Sequence, residues 1–409
     1  ITLCKCEVMC LSKSVLTYFK EYSAIFSLVS CSVNNTQMEN IDENLNWRFI
    51  FTESRRLGML TLVYDAVQRL PDQYRPERQI MSAFSKENSR LIIVDTNQLI
   101  ELQKLENAFE ENGIDMLLLK GVYLKQMYKS TYYRYMGDID TFVKLEDFKR
   151  ANPILEKLGY VLKNDTGKDW EYFKKPYIFL EQHHSIVEKE MHTVNEYYKG
   201  IWQRCILKKG ASHIYTMPLE DIYIYLIVHA VHHFEYSGIA PRIFLDFYVF
   251  TEHNKGNLDR EYVDKILGEF GYLEFSKKVL EVAYRWFSKD GRGIDRDNEL
   301  DLFIAGCGDF GTIENNVGIR SANMTESGKK PSRVKFILKQ AFPHTEVIAQ
   351  EFPVLKKAPV LLPFIWAAYV MKKAVKSPTV NYYKTINSET VNYYKDIIRQ
   401  IGLENRKDK

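Results

Sequence analysis

A chain of 409 residues is long enough for two or three domains, and its 45% apolar and 27% charged residues are ordinary for a soluble globular protein with a sizeable core. The formal net charge of +3 is too small to point to a nucleic acid or a membrane surface. Four of the six cysteines, Cys4, Cys6, Cys10 and Cys31, fall in the first 31 residues, and Cys205 and Cys307 stand far apart. A disulfide framework spreads its cysteines through the fold, so a reducing, cytoplasmic setting is expected. Cys4, Cys6 and Cys10 lack a nearby histidine that would complete a tetrahedral zinc set.

Residues 1–21 are an N-terminal extension with no assigned role. The apolar patch at 24–29 follows Lys20 and Glu21 closely, which is unlike a signal peptide. Helices are expected over 14–32 and 44–70; the second carries Trp47, Phe51, Leu57, Leu60, Val63 and Val67 near helical spacing and ends at Pro71. A long amphipathic helix comes next, over 77–111, with Ile92, Leu99, Leu102, Leu105 and Phe109 on one stripe and Asn112-Gly113 as its stop. Together 22–112 make a helical region that packs on the α/β core.

The pattern then changes. Residues 114–119 are nearly all apolar and read as a buried strand, Lys120-Gly121 comes after it, and a helix is expected over 122–128. Residues 138–143, Asp-Ile-Asp-Thr-Phe-Val, alternate at strand period. A helix is expected over 146–158, with Gly159 after it, and strands over 160–163, 170–174 and 177–184. The block 113–190 is thus a small mixed-sheet core, and the fold class is α+β. From 218 to about 287 the chain is helical again, with Ile222, Tyr225, Leu226 and His229 on one side of 220–233. The Gly-, Asp- and Asn-rich stretch 290–330 reads as loop, and helices return over 332–341 and from about 363. The apolar run 358–371 is too short to span a bilayer and is broken by Pro359 and Pro363, so no membrane anchor is expected. Residues 215–375 therefore form a second, mostly helical domain, and 376–409 a helical or solvated tail. In that tail Thr379-Val-Asn-Tyr-Tyr-Lys384 recurs as Thr390-Val-Asn-Tyr-Tyr-Lys395, a local duplication.

The chemistry concentrates in two segments, 117–124 and 134–143. On a strand, residues i and i+2 project from one face, so Asp138 and Asp140 stand a few ångströms apart. Two carboxylates that close repel unless a cation lies between them. Mg²⁺ suits them, because it takes carboxylate oxygens, keeps waters and shares its shell with substrate phosphates; Mn²⁺ is the substitute. Gly137 lets a ligand approach the backbone, Lys120-Gly121 lies where a strand meets a helix and favours an anion, and Arg134 can grip phosphate bidentately. A third carboxylate is expected from a neighbouring strand. With Ile178 and Leu180 inward, Glu181 and His183 share the opposite face; Glu188 is the rival but lies past the strand. His183 is expected to be structural rather than catalytic.

Leu-Lys-Gly, the downstream Arg134 and then Met-Gly-Asp-Ile-Asp140 resemble the uncharacterised nucleotidyltransferase family of the polymerase-β-like superfamily. Glu181 and His183 are similar to that family's Glu-x-His strand, and His229, His233, Arg242 and Asp246 to its helical His region followed by Arg and Asp. Asn46-Trp47 near the start and Phe352-Pro353 with 361–366 near the end extend the resemblance to roughly residues 22–375. One departure stands out: better-known members of the superfamily carry Gly-Ser at the strand–helix turn, and Lys120 replaces the first of that pair.

The resemblance implies transfer of an NMP group from an NTP to an acceptor, with pyrophosphate released. It implies Asp138, Asp140 and Glu181 as metal-holding catalytic acids and Lys120, Gly121 and Arg134 as phosphate-binding groups. The 215–375 domain would close the nucleotide cleft. His229 and His233, at i and i+4, are open to reading as metal ligands, a nucleotide wall or core, with no third ligand spaced for zinc. Arg242 and Asp246, also i and i+4, read either as a structural salt bridge or as nucleotide contacts. The acceptor is a small molecule, a sugar or lipid intermediate, or a protein side chain; with no basic stripe, nucleic acid ranks lower. The alternatives are a nucleotide-sensing or antitoxin-like binding protein without turnover, and a phosphohydrolase using the same Asp and His residues.

Overall fold

The computed structural model describes residues 10–38, 41–166, 169–188, 191–308, 312–325, 352–356, 358–376 and 386–404, together with positions 332, 342 and 348. Five helices come first: α1 Cys10–Thr17, α2 Phe19–Val33, α3 Trp47–Arg56, α4 Leu60–Gln68 and α5 Arg78–Glu111. The single helix expected over 44–70 is interrupted at Leu57–Met59, where Gly58 takes φ +67°. That left-handed backbone costs glycine little and turns the chain between α3 and α4.

The α/β part comes next: β1 Met116–Leu118, α6 Lys120–Leu124, β2 Ile139–Val143, α7 Leu145–Lys157, β3 Val161–Asp165, β4 Asp169–Lys174 and β5 Ile178–His183. The expected helix over 122–128 is shorter than the sequence suggested; α6 spans five residues and passes into a 3-10 turn at Lys125–Met127. After α8 His192–Tyr198 and α9 Ile201–Arg204 come β6 Ile206–Leu207 and β7 Ile214–Thr216. These two strands, of two and three residues, are too short to show a period in the sequence. They extend the sheet beyond residue 190, to seven strands in the order β3-β4-β5-β2-β1-β7-β6.

The sheet is mixed: β2 runs parallel to β5 and β1 to β7, and the other neighbours are antiparallel. Its centre is covered on both faces, which is why β1 and β2 are buried along their whole length, while the edge strands β3 and β6 are exposed. Met116, Leu118, Ile139, Val143, Ile178 and Leu180 pack with Leu102, Leu105 and Phe109 of α5 and Phe148, Ala151 and Leu155 of α7. Leu117 and Phe142 turn the other way and join the larger core of the helical part. By strand alternation Asp140, Glu181 and His183 project to that second side.

The helical part comprises α10 Leu219–Ser237, α11 Pro241–His253, α12 Arg260–Phe270 and α13 Leu273–Phe287. The stretch 290–330, expected as loop, instead contains α14 Glu299–Gly306 and α15 Ile313–Met324. The Asn and Thr that suggest loop are N-caps: Asn298 accepts from the Asp301 N–H and Thr312 from the Asn315 N–H. Beyond these lie α16 Leu362–Lys376 and α17 Ser388–Gln400. The second copy of the repeat is on α17, packed rather than solvated, with Val391 and Tyr394 buried against the chain. The first copy and the helix expected over 332–341 fall outside the described residues, apart from Ser332. No helix among the described residues is long and apolar enough to cross a membrane.

Candidate active site

Strand register assembles the acids. In the parallel pair β2–β5, Asp140 stands opposite Glu181 and Phe142 opposite His183. In the antiparallel pair β1–β2, Leu118 stands opposite Thr141, and the Leu119 N–H donates to the Asp140 carbonyl at 3.2 Å. The next residue, Lys120, therefore emerges beside Asp140, with its Nζ 3.3 Å from Oδ1. Asp138 lies just before β2 rather than within it, and hydrogen-bonds Glu181.

His183 ties the group together. Its Nε2 is 3.1 Å from Asp140 Oδ1 and 3.5 Å from Glu181 Oε2, and its Nδ1 is 3.3 Å from Asp169 Oδ2. Asp140, Glu181 and His183 offer ligand atoms within 4.8 Å of one another, the one such metal-competent group among the described residues. Asp169, at the start of β4 and opposite His183, was not legible in the sequence, because nothing but three-dimensional register marks it.

Three carboxylates here face one ammonium. Burial opposes ionisation of Asp140, but Lys120 and the His183 hydrogen bond outweigh it and hold that carboxyl well below the usual range. Burial and then Asp140 raise Asp138, and burial with Asp140 and Asp138 pushes Glu181 up to about 7. Lys120 is kept protonated, against its burial, chiefly by Asp140. An excess of negative charge that cannot fully ionise, on hard oxygen donors, fits a divalent cation such as Mg²⁺ or Mn²⁺.

Lys120 also takes φ +34°, in the left-handed region where a non-glycine residue is strained. The departure from Gly-Ser thus has a backbone cost that glycine would avoid. What Lys120 gains is its ammonium beside Asp140. Because α6 is one short turn, its dipole adds little, and the Lys120 side chain carries the positive charge at this turn.

All eleven residues expected to hold metal or nucleotide line one cavity of 340 Å³: Lys120, Gly121, Arg134, Gly137, Asp138, Asp140, Glu181, His229, His233, Arg242 and Asp246. The partners of Arg134, Arg242 and Asp246 differ from expectation. Arg134 is bound to Asp246 by two hydrogen bonds of 3.0 Å, so its guanidinium is already engaged. Asp246 also accepts from the Tyr128 hydroxyl at 2.7 Å. The i, i+4 salt bridge between Arg242 and Asp246 is therefore replaced by one that fastens α11 to the segment before β2, and Arg242 donates to the Tyr135 carbonyl. Gly121 is closely approached: a Cβ there would lie 2.8 Å from Met136 Sδ and 3.0 Å from Arg134 Nη1, so those side chains would have to shift. Gly137 borders open space in the cavity, with nothing within 4 Å of where a Cβ would stand.

The imidazoles of His229 and His233 stack at 4.3 Å on α10, facing the acids. Burial, then the Lys120 charge, keeps both neutral, and His233 falls to about 4. The two form an uncharged wall. A second chamber of 180 Å³ shares Lys120, Glu181, His229 and His233 with the first and adds His183, Glu188 and His232; Glu188 lies past β5, as expected, 3.8 Å from His232.

A mixed sheet presenting paired acids beneath a helical cover defines a nucleotidyltransferase-type α+β protein. The chain belongs to the uncharacterised nucleotidyltransferase family, whose model matches residues 43–288 and so contains every residue of the cavity. No curated protein and no solved structure matches the chain.

Proposed function

We propose that this chain moves an NMP group from an NTP to an acceptor hydroxyl and releases pyrophosphate. The observation that carries the reading is the cross-strand pair Asp140–Glu181, flanked by Asp138, Lys120 and His183 in one cavity. Asp138, Asp140 and Glu181 would hold divalent metal, with His183 beside them. When bound, the metal supplies Lewis acidity at the phosphoryl group and offsets charge on the leaving pyrophosphate. Lys120 neutralises triphosphate oxygens. Without metal, burial and the two aspartates push Glu181 up to about 7; a bound cation would lower it, so its part in the loaded site is that of a metal ligand. His183 orients Asp140 and is itself aligned by Asp169. The neutral His229–His233 wall lines the site without adding a competing cation. Arg134 acts through position, by holding α11 against the segment that delivers Asp138.

The test is to incubate the purified protein with Mg²⁺ and each of the four NTPs, and to follow pyrophosphate release and intact protein mass. Release or a nucleotide-sized mass gain that disappears in Asp138→Asn/Asp140→Asn supports transfer. Equal signals from the wild type and the double variant would refute it.

A further inference from the structure

A cavity of 670 Å³ lies apart from the acids. It lies between α3, α5 and the start of α15, and Tyr135 lines both cavities. Tyr135 stands three residues before Asp138, and its carbonyl is held by Arg242. The two spaces are thus neighbours across one aromatic residue. A nucleoside triphosphate is large enough to occupy the smaller cavity, so a second substrate needs adjoining room.

Among the described residues that line the larger cavity, arginines outnumber carboxylates. Arg90 makes two hydrogen bonds to Glu87, at 2.8 and 2.9 Å, and Arg55 lies 3.2 Å from the same carboxylate. Two guanidinium groups therefore share one anion. The Glu87 side chain is only 14% exposed, whereas those of Arg55 and Arg90 are 62% and 53% exposed. Each guanidinium carries five N–H donors, and Glu87 cannot satisfy them all. Arg56 forms a third cationic wall. It is bound to Glu53 and Tyr22 and backed by Gly308, where a Cβ would approach its guanidinium to 2.7 Å. Forked, half-exposed guanidinium groups, three against the two carboxylates of Glu53 and Glu87 among the described lining residues, match a phosphate group better than a neutral or cationic ligand. The volume suits a small molecule rather than a polymer.

We propose that this cavity binds the phosphate-bearing end of a small-molecule acceptor, a phosphate monoester whose hydroxyl reaches the acids past Tyr135. The acceptor role rests on the transfer reading above; the anion site itself does not.

Ligand-observed NMR with inorganic phosphate, glycerol 3-phosphate and glucose 1-phosphate tests it, with glycerol and glucose as uncharged controls. The proteins are the wild type, Arg55→Gln/Arg90→Gln and Lys120→Met, each also with nucleotide and Mg²⁺ present. The inference expects the phosphates, and not the sugars, to bind the wild type. Binding should weaken at least fivefold in Arg55→Gln/Arg90→Gln, persist in Lys120→Met and survive nucleotide addition. The two arginine side chains are more than half exposed, so melting temperature checks that the double variant keeps its fold. Absence of phosphate binding, equal binding by the arginine variant, loss in Lys120→Met or displacement by nucleotide would each overturn the inference. Mg²⁺-dependent NTP binding on the same samples separates the two readings. If the wild type binds phosphate monoesters but no nucleotide, the transfer reading fails and takes the acceptor role with it. If it binds nucleotide but no phosphate monoester, only the second site fails.

Discussion

Asp246→Asn should destabilise the protein more than an ordinary polar substitution. The Asp246 carboxylate and the Arg134 guanidinium are 8% and 10% exposed and share two hydrogen bonds of 3.0 Å. The amide keeps a contact for Tyr128 but leaves a buried guanidinium facing a neutral group and an amide N–H. Each charge-assisted bond is worth about 1.5–3 kcal/mol, and stranding one member of a buried pair costs about 3–5 kcal/mol. We expect a loss of about 3 kcal/mol or more in urea unfolding. Arg134→Met alone should cost a comparable amount, because it strands the carboxylate. The double variant strands neither charge, so it should be much less destabilised than the sum of the two, with a coupling of about 2 kcal/mol or more. Single-variant losses that add to within about 0.5 kcal/mol would refute the pair, and with it the argument that α11 is clamped to the Asp138 segment.

Glu181 gives a pH signature. Its folded pKa of about 7 lies above the ordinary 4.5, so between those values the folded chain holds a proton that the unfolded chain has released. Stability from this group is therefore present below about 4.5 and is lost as pH rises to about 7. Thermal unfolding of metal-free protein should show that slope and Glu181→Gln should flatten it; identical slopes would contradict the assignment. Gly121→Ala forces a Cβ against Met136 and Arg134, and is expected to cost about 1–3 kcal/mol and to weaken nucleotide binding. An alanine variant with unaltered unfolding and binding would show that the contact is slack. Lys125 is 1% exposed and 2.5 Å from Asp95, which also accepts from Thr131. Lys125→Met should cost about 3–5 kcal/mol by denaturant unfolding, largely recovered on adding Asp95→Leu; no recovery would exclude the pair as the cause.

Asp140, Glu181 and His183 were legible in the sequence because strand alternation is a two-residue rule that needs no tertiary information, whereas Asp138 lies just before β2. The long amphipathic stripe of α5 was legible for the same local reason. Other features depend on partners distant in the chain. Asp169 meets His183 only through β4–β5 register, and Arg134 prefers Asp246 to open cavity because α11 delivers that carboxylate to it. β6 and β7, of two and three residues, are too short to repeat a strand period. The helices α14 and α15 were hidden because their capping Asn298 and Thr312 are loop formers by composition.

The most direct test of the central claim is equilibrium binding of fluorescent ATP, CTP, GTP and UTP by anisotropy, with Mg²⁺ and with chelator. The paired acids of β2 and β5 predict binding of at least one NTP that needs Mg²⁺, falls at least tenfold in Asp138→Asn/Asp140→Asn and survives in Arg55→Gln/Arg90→Gln. Binding that ignores both Mg²⁺ and the loss of the two aspartates would contradict the account.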